Sequence, residues 1–376
     1  LLSSNKKENG KFLVVDVGAY SIKGTVFGES VHPVELRSSG FDRGYITDAK
    51  RLREKLGEVI ENVSRVYSGN LEGLPVIFTV SFRDTEIISH EETITSSPKI
   101  TGEHILRIKN LMENSVKNTY QKEILWFEVV EYKILNFDNQ KIEVENPEGL
   151  SAKSLTARGF FLLVPRSIFS DFESILREIK DKYRLGKLYI FDSSISLAYG
   201  LKEDFEDFDL LDIGHTSTRL VGIRYGKIAS YRIFSLGGIH IYNALKSMGI
   251  LNAEQVLQTI FSRENTKVTN VDPTVLENAI SVKLAEISGK ISNMFPVILS
   301  GGFARLGNRF KILLESALGS RVVQVVESPM AYIGRGASKM VMEGVGNGHR
   351  PQGFTIPKSF SDIIGFIKRE IMGKEE

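Results

Sequence analysis

The chain has 376 residues, 42% apolar and 25% charged, which is the balance of a folded globular protein too long for one compact core. A net charge of +2 excludes a dedicated nucleic-acid binder, whose affinity rests on clustered phosphate neutralisation. The absence of cysteine excludes disulfides, thiolate catalysis and cysteine-ligated metal centres, and the six histidines show neither i, i+4 pairing nor an HExxH run.

Residues 1–11 are polar, without the apolar core of a signal peptide, and read as a mobile leader to a cytoplasmic protein. Phe12 to Asp16 is a near-continuous apolar run, the texture of a buried strand, and Gly18 breaks it. Strands are expected over Ile22 to Phe27 and Val31 to Leu36. Thr47 or Asp48 can then cap a helix whose apolar face is Leu52, Leu56, Val59, Ile60 and Val63. Val76 to Val80 is a further buried strand. From Phe82 the texture turns polar and alternating around one helix, Gly102 to about Tyr120. Strand candidates at Leu125 to Leu135 and Lys141 to Glu145 follow, and the buried-strand texture returns at Phe160 to Val164. This predicts a small α+β unit, residues 82–161, inserted into a larger fold. Asp171 to Tyr183 is amphipathic, and Leu188 to Phe191 is a short strand. The acidic stretch Glu203 to Asp209 reads as a solvated linker.

After that linker the opening pattern recurs. Val15-Asp16-Val17-Gly18-Ala19-Tyr20-Ser21 and Leu211-Asp212-Ile213-Gly214-His215-Thr216-Ser217 both read apolar-Asp-apolar-Gly-x-x-Ser, displaced by 196 residues at every position. Each copy follows a buried strand and precedes a hairpin partner. A glycine permits a tight turn whose amides and hydroxyl can donate to phosphate oxygens. The strand-end aspartate can hold hydrated Mg2+, which keeps several of its waters. One such motif is common turn chemistry. Two, half a chain apart, predict an internal duplication with a nucleotide cleft between the halves. A third strand-to-helix turn, Ser300-Gly301-Gly302-Phe303-Ala304, suits the close approach of an adenosine, and Gly237-Gly238 is a weaker candidate for the same job.

In order and spacing, Asp16 to Lys23, Asp212 to Thr218 and Ser300 to Ala304 resemble the two phosphate loops and the adenosine loop of the actin-like ATPase superfamily. Ser193 to Leu201 and Pro329 to Ala337 resemble its two connecting helices. Within that superfamily the chain is most similar to the FtsA family of bacterial cell division, on the position of the 82–161 insert, on Glu145 to Leu150 within it, and on Phe41 to Asp48. The resemblance covers roughly residues 12–342. It implies an α/β, actin-like ATPase fold with two duplicated ribonuclease-H-like domains. Residues 12–81 and 162–208 would form the first, 209–245 and 296–342 the second, and 246–295 a short helical subdomain. It implies ATP and Mg2+ as ligands, with Asp16 and Asp212 facing the metal through water. It also implies self-assembly into protofilaments, an FtsZ-like tubulin homologue as partner, and a place on the inner face of the membrane at the division site. Relatives often place Glu or Gln where this chain has Ser193, so Asp192 is the candidate to orient water, against a plain helix cap, and hydrolysis is expected to be weak. A pilus- or envelope-assembly ATPase of the PilM type shares the insert and is the alternative. A small-molecule kinase needs a general base that is not evident.

A linker by composition, residues 343–357, precedes a last amphipathic pattern over 358–376. On a helix, Phe360, Ile363, Ile364, Ile367 and Ile371 fall within an arc of roughly 100°. Between Lys358 and Met372 three basic residues stand against two acidic ones. The pattern suits a weakly cationic interfacial helix, and the resemblance implies a membrane anchor.

Overall fold

Two five-stranded sheets of the same build organise the chain. The computed structural model describes residues 10–29, 32–95, 98–247, 249, 281, 285, 287, 289–291, 295–302, 304, 308–317, 323–326 and 328–343. The leader up to residue 9, most of 246–295, Phe303, and the linker and tail from 344 onward lie outside the described residues.

In the first half, β1 (Phe12–Val17), β2 (Ser21–Phe27) and β3 (Val34–Arg37) form an antiparallel meander. A hairpin of β4 (Phe41–Asp42) and β5 (Tyr45–Ile46) leads into α1 (Ala49–Tyr67), where the Asp48 side chain caps the helix by accepting from the Arg51 N–H. The five apolar positions expected on this helix are all buried against the sheet. β6 (Val76–Val80) then runs parallel to β1.

The inserted unit follows: β7 (Glu86–Thr95), α2 (Gly102–Tyr120), β8 (Lys122–Leu135), β9 (Lys141–Val144) and β10 (Ser154–Pro165), in an antiparallel sheet of order β7-β10-β8-β9. Its last strand runs past the expected boundary at Phe161, because pairing with β8 continues to Pro165 opposite Lys122. The next helix, α3 (Arg166–Lys182), starts directly after Pro165 rather than at Asp171, and Phe169 extends its buried stripe. β11 (Leu188–Asp192) closes the first sheet in the order β11-β6-β1-β2-β3. β3 itself begins at Val34, not Val31.

α4 (Ser193–Leu201) crosses to the second half. There β12 (Phe208–Ile213), β13 (Thr218–Arg224) and β14 (Lys227–Phe234) repeat the meander, and α5 (Gly238–Ser247) follows. β15 (Val297–Gly301) lies parallel to β12, α6 (Asn308–Ala317) follows, and β16 (Val323–Val325) lies parallel to β15. The order β14-β13-β12-β15-β16 has the topology of the first sheet. The last described helix is α7 (Pro329–Glu343).

The main core is continuous across the halves: residues of the first sheet, α3, α4 and α7 pack with Leu210, Val221 and Ile298 of the second. The insert has an apolar core of its own, including Ile108, Met112 and Phe161, yet it also sends Leu125, Trp126, Leu162 and Val164 into the main one. It is further fastened by Glu128 of β8. The Tyr199 hydroxyl on α4 donates to Glu128 Oε1 at 2.8 Å, and the Ile228 N–H on β14 to Oε2 at 3.2 Å. Lys227 Nζ donates to the Val130 carbonyl at 2.9 Å. The insert therefore grips both halves.

α4 and α7 meet backbone to backbone. A Cβ on Gly336 would fall inside the Ser196 carbonyl, and one on Gly200 inside the backbone of Tyr332. Since backbone cannot swing aside, Gly336→Ala is expected to push the helices apart and cost about 1–3 kcal/mol, read as a lowered Tm with the variant still folded. Glu128 gives a second prediction. Burial raises its carboxyl above the ordinary 4.5, with Lys202 and the two hydrogen bonds opposing. The native state therefore holds a proton that the unfolded chain has released, and stability falls as pH rises from the unfolded value through the folded one. Glu128→Gln should flatten that dependence, so urea unfolding between about pH 5 and 7 should show a smaller loss in the variant than in the parent.

Candidate functional site

The two duplicated strands carry the same chemistry at their ends. In the first sheet Asp16 stands opposite Lys23 of β2 and beside Thr79 of β6. In the second, Asp212 stands opposite Arg219 of β13 and beside Ser300 of β15. Each aspartate thus has a cation on one side and a hydroxyl on the other. The turns that follow close alike, with Gly18 N–H donating to Ser21 O at 3.1 Å and Gly214 N–H to Ser217 O at 2.9 Å.

The N-terminus of α4 joins the pair. Ser193 Oγ donates to Asp16 Oδ1 at 2.7 Å, and Ser194 Oγ donates to Asp212 Oδ2 at 2.6 Å. Thr79 Oγ1 also donates to Asp16 Oδ1, at 2.9 Å, and Lys23 Nζ lies 4.0 Å from Oδ2. Burial raises the Asp212 carboxyl, the Ser194 hydroxyl and the Arg219 charge oppose the rise, and the negative charge of Asp16 adds to it. The strand ends are therefore close enough to repel one another.

Such a pair fits a hydrated divalent cation carried in on phosphates, which takes one or two carboxylates and keeps its waters. Among the described residues no group of three or more His, Asp or Glu side chains gathers to hold a bare metal. Ser300 supplies a second sign of fit. Its hydroxyl is buried beside Asp212 with no hydrogen-bond partner among the described residues, a costly arrangement that a polar ligand would relieve.

The other candidate residues surround this centre. Tyr20 and His215 come from the two facing turns, their ring centroids 5.2 Å apart, and the Arg37 guanidinium lies 3.6 Å over the Tyr20 ring. Burial, and then the charge of Arg37, holds the His215 imidazole below its usual range. Ala19 and Thr216 are half-buried in the turns. The Ser21 hydroxyl donates to Glu35 at 2.7 Å and that of Thr218 to the Leu236 carbonyl at 2.6 Å. Gly237 and Gly238 stand behind the second turn: the Gly238 N–H donates to Gly214 O at 3.0 Å and the Ile239 N–H to His215 O at 2.8 Å. They brace that turn. Gly301 has φ 95° and lies so close to Ile213 that a side chain would enter its backbone, while Gly302 beside it is exposed. Phe303 is outside the described residues, as are Phe360, Ile363, Ile364, Ile367 and Ile371.

Asp192 takes the cap position. It is fully buried, with one oxygen accepting from the Ile195 N–H at 3.0 Å and the other from the Tyr231 hydroxyl at 3.2 Å. Each oxygen accepts one of these bonds, which is the helix-cap arrangement. No motif in the sequence singles out Ser194, Thr79 or Tyr231. Arg219 does have a signal, since the 196-residue displacement maps Lys23 onto it.

A meander followed by two parallel strands, built twice with a strand-end aspartate in each, is the actin-like ATPase fold. Among solved structures, the chain is similar to the PilM–PilN type IV pilus biogenesis complex, with TM-score 0.56 at 16% identity over 87% of this chain and 97% of that one. It is also similar to ethanolamine utilization protein EutJ from Carboxydothermus hydrogenoformans, with TM-score 0.50 at 17% identity over 87% and 88% of the two chains. No protein-family model matches the sequence, and a search of curated proteins finds no match.

Asp212→Ala removes the carboxylate that accepts from the buried Ser194 hydroxyl. The variant is expected to keep its circular dichroism spectrum and to lose at least about 2 kcal/mol of Mg-ATP binding energy by calorimetry, the scale of one charged contact. Unchanged affinity would remove Asp212 from the metal site.

Proposed function

We propose that this chain is an FtsA-like scaffold: it binds Mg-ATP in the cleft, assembles into actin-like filaments, and links a ring of an FtsZ-like tubulin homologue to the membrane. The observation that carries the nucleotide part is the pair Asp16 and Asp212, drawn together by Ser193 and Ser194 beside the unpartnered Ser300 hydroxyl. Asp16 and Asp212 would face the hydrated Mg2+. The turns at 18–21 and 214–217 would supply amides to the phosphates, and the Gly301–Gly302 turn would admit the adenosine.

The division role is supported by the residues on which the FtsA resemblance stands, Glu145 to Leu150 and Phe41 to Asp48, since the PilM type shares the inserted unit at 82–161. Weak turnover follows from Ser193, which stands where relatives often carry Glu or Gln and whose hydroxyl is already given to Asp16. Nucleotide binding, not cleavage, then drives assembly, and a non-hydrolysable analogue should support filaments as well as ATP does.

Among the described residues no helix is long and apolar enough to cross a membrane. The tether is instead the apolar stripe Phe360, Ile363, Ile364, Ile367 and Ile371. Each large side chain contributes at most about 1.5–3 kcal/mol on entering the acyl boundary. Ordering a short helix consumes part of that. One tail binds weakly, and a filament carrying many binds tightly because each later contact is intramolecular. Liposome co-pelleting with and without FtsZ tests the reading. Removing 358–376, or the substitution Ile364→Asp, should abolish pelleting and leave ATP binding intact, and FtsZ should pellet only with the full chain. Pelleting of the truncated protein overturns the tether. Capture of a membrane partner's peptide in place of FtsZ favours the PilM-like alternative.

A further inference from the structure

Arg219 is the equivalent of Lys23 in the second repeat, yet it does something its counterpart does not. Lys23 is placed beside Asp16 at 4.0 Å. Arg219 is 4% exposed and touches three separate segments. Its Nε–H donates to the Tyr231 hydroxyl at 3.1 Å, one Nη–H to Ser217 Oγ at 3.0 Å, and the other to the Phe82 carbonyl at 2.9 Å. Burial alone would lower its pKa. The Tyr231 phenol and the carboxylates of Asp192 and Asp212 outweigh that, so the guanidinium stays charged.

One of those partners is in the second phosphate turn. A hydroxyl that accepts from a guanidinium is left to donate its own proton elsewhere. Arg219 therefore aims the Ser217 O–H away from itself. Another partner, Phe82, begins the joint at 81–85 through which the chain enters the insert. That joint is anchored at Phe82. The Phe82 ring is fully buried and packs edge-on to Phe172, 5.2 Å between centroids. The Tyr45 hydroxyl donates to Asp84. Thr85 donates to the Phe82 carbonyl at 3.4 Å. A displacement of the guanidinium therefore acts on the residues that lead directly into β7.

We infer that Arg219 is a positioning residue that ties the second phosphate turn to the entrance of the inserted unit, so that engagement of Ser217 by a polyphosphate changes the packing of the insert's first strand. This rests on the nucleotide reading above. The insert then responds to occupancy of the cleft through Arg219, which joins the Ser217 hydroxyl to the Phe82 carbonyl by two hydrogen bonds.

Hydrogen exchange on the full chain, with and without Mg-ATP, tests it. In the parent protein ATP is expected to slow exchange both at 212–218 and at 86–95, by about fivefold or more. Arg219→Lys keeps a cation between Asp192 and Asp212, but one ammonium cannot span three acceptors. With its affinity measured and Mg-ATP supplied to saturation, the variant should retain the slowing at 212–218 and lose it at 86–95. If that variant melts early, Tyr231→Phe, which removes both the Nε link and the hydroxyl that donates to Asp192, should reduce the response at 86–95 and leave that at 212–218. Three results overturn the inference: a parent that binds Mg-ATP with no response in the insert, a folded Arg219→Lys that keeps it, or, where that variant is unstable, a Tyr231→Phe with the full response. A parent that does not bind Mg-ATP at all overturns the nucleotide reading, and this inference with it.

Discussion

Two neighbouring hydroxyls, Ser193 and Ser194, hold one aspartate each from opposite halves of the molecule. Carboxylates brought within reach of each other repel, and here one of them is pushed toward protonation by burial and by its counterpart's charge. The arrangement survives because each aspartate accepts from a serine hydroxyl and because a cation backs each strand. Most of the surrounding structure follows from that need. Strand ends must converge, the helix between them must begin where β11 ends, and the turns beyond, which carry Tyr20 and His215, must face one another.

The duplication is legible in chemistry as well as in topology, and its departures from symmetry are informative. Thr79 and Ser300 occupy matching positions, but the threonine hydroxyl is bonded to Asp16 while the serine hydroxyl has no partner among the described residues. Lys23 and Arg219 match, but the lysine serves its own half while the arginine reaches into the other through Phe82. The first half is closed on itself. The second keeps an unsatisfied hydroxyl and a bridging cation, as expected of the side that completes its bonding when a ligand is present.

What the amino-acid sequence reveals of the fold and the site depends on the range of the interactions. Apolar periodicity and an aspartate cap define α1 because both signals lie within a turn or two of the helix. The two Asp-x-Gly turns are readable because their repetition multiplies a weak signal. The end of β10 is hard to place because Leu162 and Val164 pack into the main core while their backbones pair with the insert, so side chains and hydrogen bonds assign them to different units. Asp192 is ambiguous for a related reason. A carboxylate before a helix is legible as a cap, but the Tyr231 hydroxyl that takes its second oxygen comes from a strand 39 residues further along the chain. Contacts between the halves leave no local pattern.

The glycine contact between α4 and α7 has a geometric consequence for the aspartates. Two helices that meet backbone to backbone hold their axes at a fixed separation, and Arg335 on the Gly200 carbonyl and Lys339 on Glu203 tie the crossing at its side. Gly200 lies seven residues from Ser193 on the same helix, about 10 Å by the rise of an α-helix. A tilt of about 10° at that point moves the serine hydroxyls by about 2 Å, roughly the span between a bond made and a bond lost. Over such an arm a small swing of one half against the other becomes a discrete event at the carboxylates. A displacement at the crossing is therefore felt at the carboxylates on the scale of one hydrogen bond.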